Sequence, residues 1–184
     1  TASSLLPMFV LALFVIYALL AVPLRSYGQP LIIMSVIPFA FVGAVWGHVL
    51  MEAAGLLDSM AIMSIMGSVA ASGVVINSSL VLVHAVNKRR SEGVDVFESV
   101  VEASVTRFRP ILLTSLTTFA GLTPLLLNQS VQAGVLIPMA TSVAWGVALA
   151  TVVTLLVVPA SYVIREDIMA RYGSRASDTE RLSV

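Results

Sequence analysis

An all-α polytopic membrane helix bundle is the fold class this chain predicts, and three observations predict it. Hydrophobic residues fill 58% of the 184 positions and charged residues only 11%, far from the composition of soluble domains. The apolar residues gather into five long runs, and roughly 20 helical residues suffice to cross the hydrocarbon layer. Laid across a bilayer, those runs leave all ten Lys and Arg residues on one side. Positive residues resist translocation, so that side is the cytoplasmic one and the chain starts outside and finishes inside.

The first span is expected over 5–22, closed by the turn-like Pro23-Leu24-Arg25-Ser26-Tyr27-Gly28-Gln29-Pro30. The second is expected over 31–51, with Pro38 inside it and Glu52 and Asp58 in a short outer loop. The third is expected over 59–86, long enough to tilt or to project from the membrane. Lys88, Arg89 and Arg90 follow it on the inner side. Val94, Phe97, Val100, Val101, Val105 and Phe108 then recur at helical spacing among Asp95, Glu98 and Glu102. That pattern predicts an amphipathic helix over 94–108 lying on the cytoplasmic surface. The fourth span is expected to open at Pro110 and to cover 110–127, since a first-turn proline forfeits only an N–H that had no partner. The fifth is expected over 134–164. Residues 165–184, with Arg165, Arg171, Arg175 and Arg181, form a cytoplasmic tail. Five transmembrane helices plus one surface helix result, and none of the five spans has a polar face wide enough for water.

Several function classes are excluded. The basic residues stand among acids and form no one-sign patch, so no nucleic-acid partner is expected. Cysteine is absent, which removes disulfides, thiol nucleophiles and thiolate metal sites. No His-Glu-x-x-His pair, phosphate loop or Gly-x-Ser-x-Gly elbow occurs, so neither an enzyme nor a cofactor site is expected. Thr1 is not an initiator and no charged segment precedes the first apolar run, which reads as the C-terminal piece of something longer.

The polar residues inside the spans carry the functional argument. The second span holds Gly43 and Gly47, and the third holds Gly67, Ser68, Ser72 and Gly73. Small residues let helices approach closely in lipid, and packing is the preferred reading of these and of Gly121. Asn77 lies deeper, on one helical face with Gly73 and His84. The fourth span answers with Thr114, Thr117, Thr118 and Gly121 on one face and Ser115 beside it, at similar depth to Asn77. Two readings stay open from these residues alone. Together they can hydrate a path through the bundle, or each hydroxyl can simply bond its own backbone one turn back. His48 and His84 read as interfacial groups at opposite ends of the membrane. No acid lies mid-span, so any titrating carboxylate of a proton path must stand outside this chain.

Three stretches carry a family resemblance. Gly73-Val74-Val75-Ile76-Asn77-Ser78-Ser79-Leu80-Val81-Leu82-Val83 with its trailing basic cluster is one. Arg107-Phe108-Arg109-Pro110-Ile111-Leu112-Leu113-Thr114-Ser115-Leu116-Thr117-Thr118 is the second, and Pro138-Met139-Ala140 through Val157-Val158-Pro159-Ala160-Ser161-Tyr162 the third. In order and spacing they resemble spans eight to twelve of the inner-membrane subunit of resistance-nodulation-division (RND) efflux pumps. The resemblance implies a proton-coupled exporter in the inner membrane of a Gram-negative bacterium, with its C-terminus cytoplasmic. It implies a homotrimer working with a periplasmic adaptor and an outer-membrane channel, moving protons against an unidentified substrate such as a drug. The acidic relay residues would lie on the N-terminal half, outside this chain. Carried over by position, their partners here are Asn77 and Thr114, with Arg107 at the cytoplasmic end and Ser115 and Thr118 alongside. The best-known drug pumps have Lys where this chain has Asn77, so a hydrogen-bond switch is implied in place of an ion-pair switch. A metal cargo is disfavoured because these spans hold no intramembrane Met or acid cluster. The competing expectations are a structural or assembly module of the membrane, and a Sec-type protein-export accessory.

Overall fold

The computed structural model describes residues 2–57, 62–128 and 130–181, with side chains for 7–57, 62–128, 130 and 133–170. Seven helices and no strand occur among the described residues. They are Ala2–Leu24 (α1), Gly28–Met34 (α2), Ile37–Ala53 (α3), Ile62–Ser91 (α4), Val96–Leu126 (α5), Val131–Gly134 (α6) and Ile137–Arg181 (α7). The chain is an all-α membrane bundle. Four stretches are long and apolar enough to cross a bilayer: Pro7–Leu24, Gly28–Ala53, Ile62–Ser91 and Ile137–Ala170.

α7 is the axis on which the bundle packs. α3, α4 and the second half of α5 all lie against it, and Val147, Ala150, Thr154 and Val158 on α7 are buried at the meeting point. Small residues make the approach possible. A Cβ added at Gly43 would stand 2.7 Å from the Trp145 carbonyl oxygen, one at Gly47 would enter the Trp145 side chain, and one at Gly67 would collide with the Met139 carbonyl. Gly146 does the same from the α7 side, 3.0 Å from both the Ala40 carbonyl and the Ala71 Cβ. α1 differs: only 11% of its spanning stretch is buried. It leans on α2 at the bundle edge, held by an edge-to-face contact of Phe9 with Phe41 at 5.6 Å and by Tyr17, whose hydroxyl donates to the Tyr27 carbonyl at 3.0 Å.

Several expected boundaries move. The second span is broken at Ser35 and Val36, because Pro38 lacks the N–H that would continue the ladder from α2; Pro38 instead occupies the first turn of α3. The fifth expected span starts later, at Ile137 with Pro138 in its first turn, after a short α6 that meets the expected range only at Gly134. α7 then runs on through Arg165 to Arg181, so helix replaces much of the expected tail.

The largest departure is α5. Its first turn is capped by Asp95, whose carboxylate accepts the Phe97 N–H at 3.0 Å, and the helix continues through Pro110 instead of restarting there. One buried stripe explains this: Val100, Ala103, Ile111 and Ser115 share a face on both sides of the proline. Neighbouring helices commonly compensate a proline inside a membrane helix. Thr114, Ser115, Thr117, Thr118 and Thr123 lower the hydropathy of the second half, and α5 is not among those four stretches. It nevertheless runs alongside α7 through the core, with Phe119 edge-on to Trp145 at 5.3 Å.

Gly67→Ala should therefore lower the stability of the protein in detergent by about 1–3 kcal/mol, the usual cost of forcing extra volume into a packed contact. Thermal unfolding monitored by tryptophan fluorescence checks this, and an unchanged midpoint would contradict the close approach.

Candidate functional site

α4 has two polar faces with different fates. One carries Ser64, Gly67, Ser68, Ala71, Ser72, Val75 and Ser79, all buried against α3 and α7. Two of its hydroxyls are settled within the helix: Ser68 donates to the Ser64 carbonyl at 2.8 Å and Ser72 to the Ser68 carbonyl at 2.9 Å, whereas the Ser79 hydroxyl is buried without a partner among the described residues. The other face carries Gly73, Asn77 and His84, and all three are exposed. A Cβ at Gly73 would meet nothing within 4 Å, and the same holds for Gly121 on α5. Gly43, Gly47 and Gly67 thus serve close packing within this chain, while Gly73 and Gly121 lie on an open surface.

The register between helices sets the depth of this surface. Tyr162 on α7 donates to Asn87 on α4 across a separation of 75 positions. The same spacing joins Gly67 to Ser142 and Ala71 to Gly146. Asn77 therefore comes level with Val152. On the antiparallel side, the Ser115 and Thr151 hydroxyls hydrogen-bond to each other, which brings Thr114 level with Val152 too. Asn77 and Thr114 stand at one depth to within about a helical turn of 5.4 Å, on helices that touch.

The hydroxyls and the amide are satisfied differently. Thr114 donates to the Pro110 carbonyl at 3.0 Å, Thr117 to the Leu113 carbonyl at 2.9 Å and Thr118 to the Thr114 carbonyl at 2.8 Å. Thr114 and Thr117 are exposed, Thr118 is half-buried, and Ser115 is buried against α7. Back-bonding thus accounts for the threonine protons, while their oxygens remain able to accept. Asn77 makes no hydrogen bond among the described residues. Arg107 is half-buried, and its Nε is buried without a partner among the described residues.

Sequence reasoning missed three polar clusters. Gln29 and Asn87 exchange a reciprocal amide pair: Gln29 Nε2 donates to Asn87 Oδ1 at 2.9 Å, and Asn87 Nδ2 to Gln29 Oε1 at 2.8 Å. The Tyr162 hydroxyl donates to the same Asn87 oxygen at 2.8 Å, tying α2, α4 and α7 together. Beside it, Glu166 accepts from Arg90 at 2.6 Å and from Arg165 at 2.7 Å, and Arg165 also donates to Ser26 at 3.0 Å. No local motif marks these partners, which, apart from the adjacent Arg165 and Glu166, lie 58 to 139 positions apart. The third cluster is centred on His48, which is buried, 2% exposed. Its Nδ1 lies 2.8 Å from the Ala44 carbonyl and its Nε2 lies 2.8 Å from the Ser64 hydroxyl. A carbonyl only accepts, so the ring proton sits on Nδ1 and the serine donates to Nε2.

The fold defines the class as polytopic all-α membrane proteins, and comparison with known proteins identifies the family. Residues 1–166 match the AcrB/AcrD/AcrF family. The chain belongs to that family, whose members are RND efflux transporters. It is 33% identical over 150 residues to the nickel-cobalt-cadmium resistance protein NccA of Alcaligenes xylosoxydans xylosoxydans, covering 82% of this chain and 14% of that protein. It is 29% identical over 172 residues to the multidrug resistance protein MdtC of Erwinia tasmaniensis, covering 93% of this chain and 16% of that one. The crystal structure of a heavy metal efflux pump (crystal form II) superposes with a TM-score of 0.75 at 27% identity, over 90% of this chain and 16% of the pump. The chain thus spans about a sixth or less of the length of these relatives. Relatives named for metals and for drugs both match, so these comparisons do not separate the two cargoes.

Tyr162→Phe should cost about 0.5–1.5 kcal/mol, one hydrogen bond. Asn87→Leu should cost more, because it strands both Gln29 and Tyr162 in the same junction. Paired thermal melts in detergent test the order, and equal midpoints for the two variants would contradict the shared network.

Proposed function

We propose that this chain supplies two helices of the proton-coupled transport core of an RND efflux transporter, and that it acts as a transporter and not as an enzyme. The observation that carries the reading is the single depth of Asn77 and Thr114 on an open face of the bundle. An amide left in hydrocarbon with no partner costs roughly 2–7 kcal/mol, so Asn77 requires a polar group from a helix outside this chain. Carboxylic acids are the chemistry that fits: protonated, they donate to the Asn77 and Thr114 oxygens, and ionised, they accept from the Asn77 amide N–H. Loading and unloading a proton then changes which way these hydrogen bonds run. Asn77 is neutral, so the exchange works through hydrogen bonds and not through an ion pair. Arg107 and Thr118 lie along the same helix, Arg107 towards the Lys/Arg end, and Ser115 anchors that helix to α7 through Thr151.

The rest of the proposal follows from family membership and charge. The protein sits in the inner membrane of a Gram-negative bacterium with its C-terminus in the cytoplasm, and works as a trimer with a periplasmic adaptor and an outer-membrane channel. Its cargo is selected by parts of the protein outside this chain; multidrug export and metal export both have relatives. A purely structural module or a protein-export accessory would have no need of a partnerless mid-span amide.

Asn77→Leu and Thr114→Val, introduced into the whole protein, should reduce efflux to background at normal membrane abundance. Unchanged resistance at normal abundance would contradict the proposal. A C-terminal green fluorescent protein fusion should fluoresce and an alkaline phosphatase fusion should be inactive; the reverse pattern would overturn the orientation.

A further inference from the structure

At the Lys/Arg end of the bundle, a cavity of about 600 Å³ opens between the end of α1, the start of α2, the end of α4 and α7. Arg25, His84, Lys88 and Arg90 line it, and no carboxylate does. Arg25 and Lys88 have no ion-pair partner among the described residues. Arg90 is bound to Glu166, but that one carboxylate is shared with Arg165, so the surroundings remain positive. The polar wall is the Gln29–Asn87–Tyr162 junction, which fixes three helices around the opening.

The turn is built to hold a cation here. Arg25 has φ +46°, a left-handed conformation that costs an ordinary side chain energy and that glycine adopts freely. A helix C-terminus commonly ends on a glycine in this conformation, yet this one ends on an arginine. The turn is pressed onto α7 from the other side, where Arg165 donates to Ser26 and packs against Gly28 so tightly that a Cβ would come within 2.6 Å of Nε. Arg25 also borders a second cavity of about 740 Å³, whose rim includes the exposed apolar side chains Tyr27, Ile164 and Ile168.

We propose that the first cavity binds the headgroup of an anionic phospholipid. Its cations meet the phosphodiester, and the lipid passes Arg25, which borders both cavities, so that its first carbons meet the apolar rim of the second. Basic pockets between membrane helices are suited to such headgroups, and each Lys or Arg near an anionic lipid surface contributes about a fivefold gain in affinity. A free phosphate would use the cations but not the apolar rim, which is why a lipid is the better fit. The inference rests on the membrane placement proposed above and not on transport.

The test is native mass spectrometry of the whole protein extracted in detergent, offered phosphatidylglycerol or phosphatidylcholine, with and without millimolar inorganic phosphate. Phosphatidylglycerol should be retained in preference to phosphatidylcholine, and phosphate should not displace it. Arg25→Gly, which keeps the turn without strain, and Lys88→Gln should each weaken retention about fivefold, while Lys88→Arg should retain lipid like the parent. Equal retention of the two lipids, or retention unchanged in both neutral variants, would overturn the proposal. Displacement by inorganic phosphate would overturn the lipid assignment in favour of a soluble phosphate. If a variant fails to accumulate, the comparison of the two lipids on the parent protein still decides. Lipid retention is read without transport, so a failure here and a failure of the Asn77→Leu efflux test are distinguishable.

Discussion

The carbonyl oxygens of Met139 and Trp145 lie so near Gly67 and Gly43 that one added carbon at either glycine would collide, and that closeness governs the rest of the bundle. Helices in lipid gain little from hydrophobic burial, so they must gain from contact. α4 turns its serines and small residues towards α7 to obtain it. Rotating that face inward necessarily turns Gly73, Asn77 and His84 outward. The polar face is open because the small-residue face is closed.

Every polar group in the apolar layer then has to be settled without bulk water. Most are settled locally. Ser68, Ser72 and Ser78 of α4 and Thr114, Thr117, Thr118 and Thr123 of α5 donate to carbonyls one turn back. A second group is settled between helices, as in Ser115 with Thr151, His48 with Ser64, and the junction of Gln29, Asn87 and Tyr162. Asn77 belongs to neither group, and nor do the buried hydroxyls of Ser79, Thr141 and Thr154 and the Trp145 Nε1, which have no partner among the described residues. An amide offers both donor and acceptor at one point, and Asn77 makes no bond back to its own helix among the described residues, so its exposed amide calls for a neighbour from elsewhere.

Much of this was legible in the sequence, and the reasons differ by element. The spans were readable because apolar length and the one-sided Lys and Arg residues are strong, local signals. The packing role of Gly43, Gly47 and Gly67 was readable from spacing, but spacing could not separate Gly67 from Gly73, since helix rotation is decided by α7 and not by α4. Pro110 misled because a first-turn proline and a proline within a long membrane helix look alike in sequence; the buried stripe from Val100 to Ser115 decided between them. His48 gave no sign of its partner Ser64, and Asn87 none of Gln29, because both pairings join distant segments. The shared depth of Asn77 and Thr114 was legible from their distances to the flanking charges, and the constant register along α7 gives it a geometric basis.

The most direct measurement is of what covers Asn77 in the membrane. The chain has no cysteine, so Asn77→Cys in the whole protein, given no other reactive thiol there, can carry a single nitroxide spin label, with Leu19→Cys on the exposed side of α1 as reference. An immobilised label at 77 with oxygen accessibility well below that at 19 is the result expected if another helix covers this face. A mobile label with the same oxygen accessibility as at 19 would mean that Asn77 faces lipid, and would contradict the claim that it meets a polar partner.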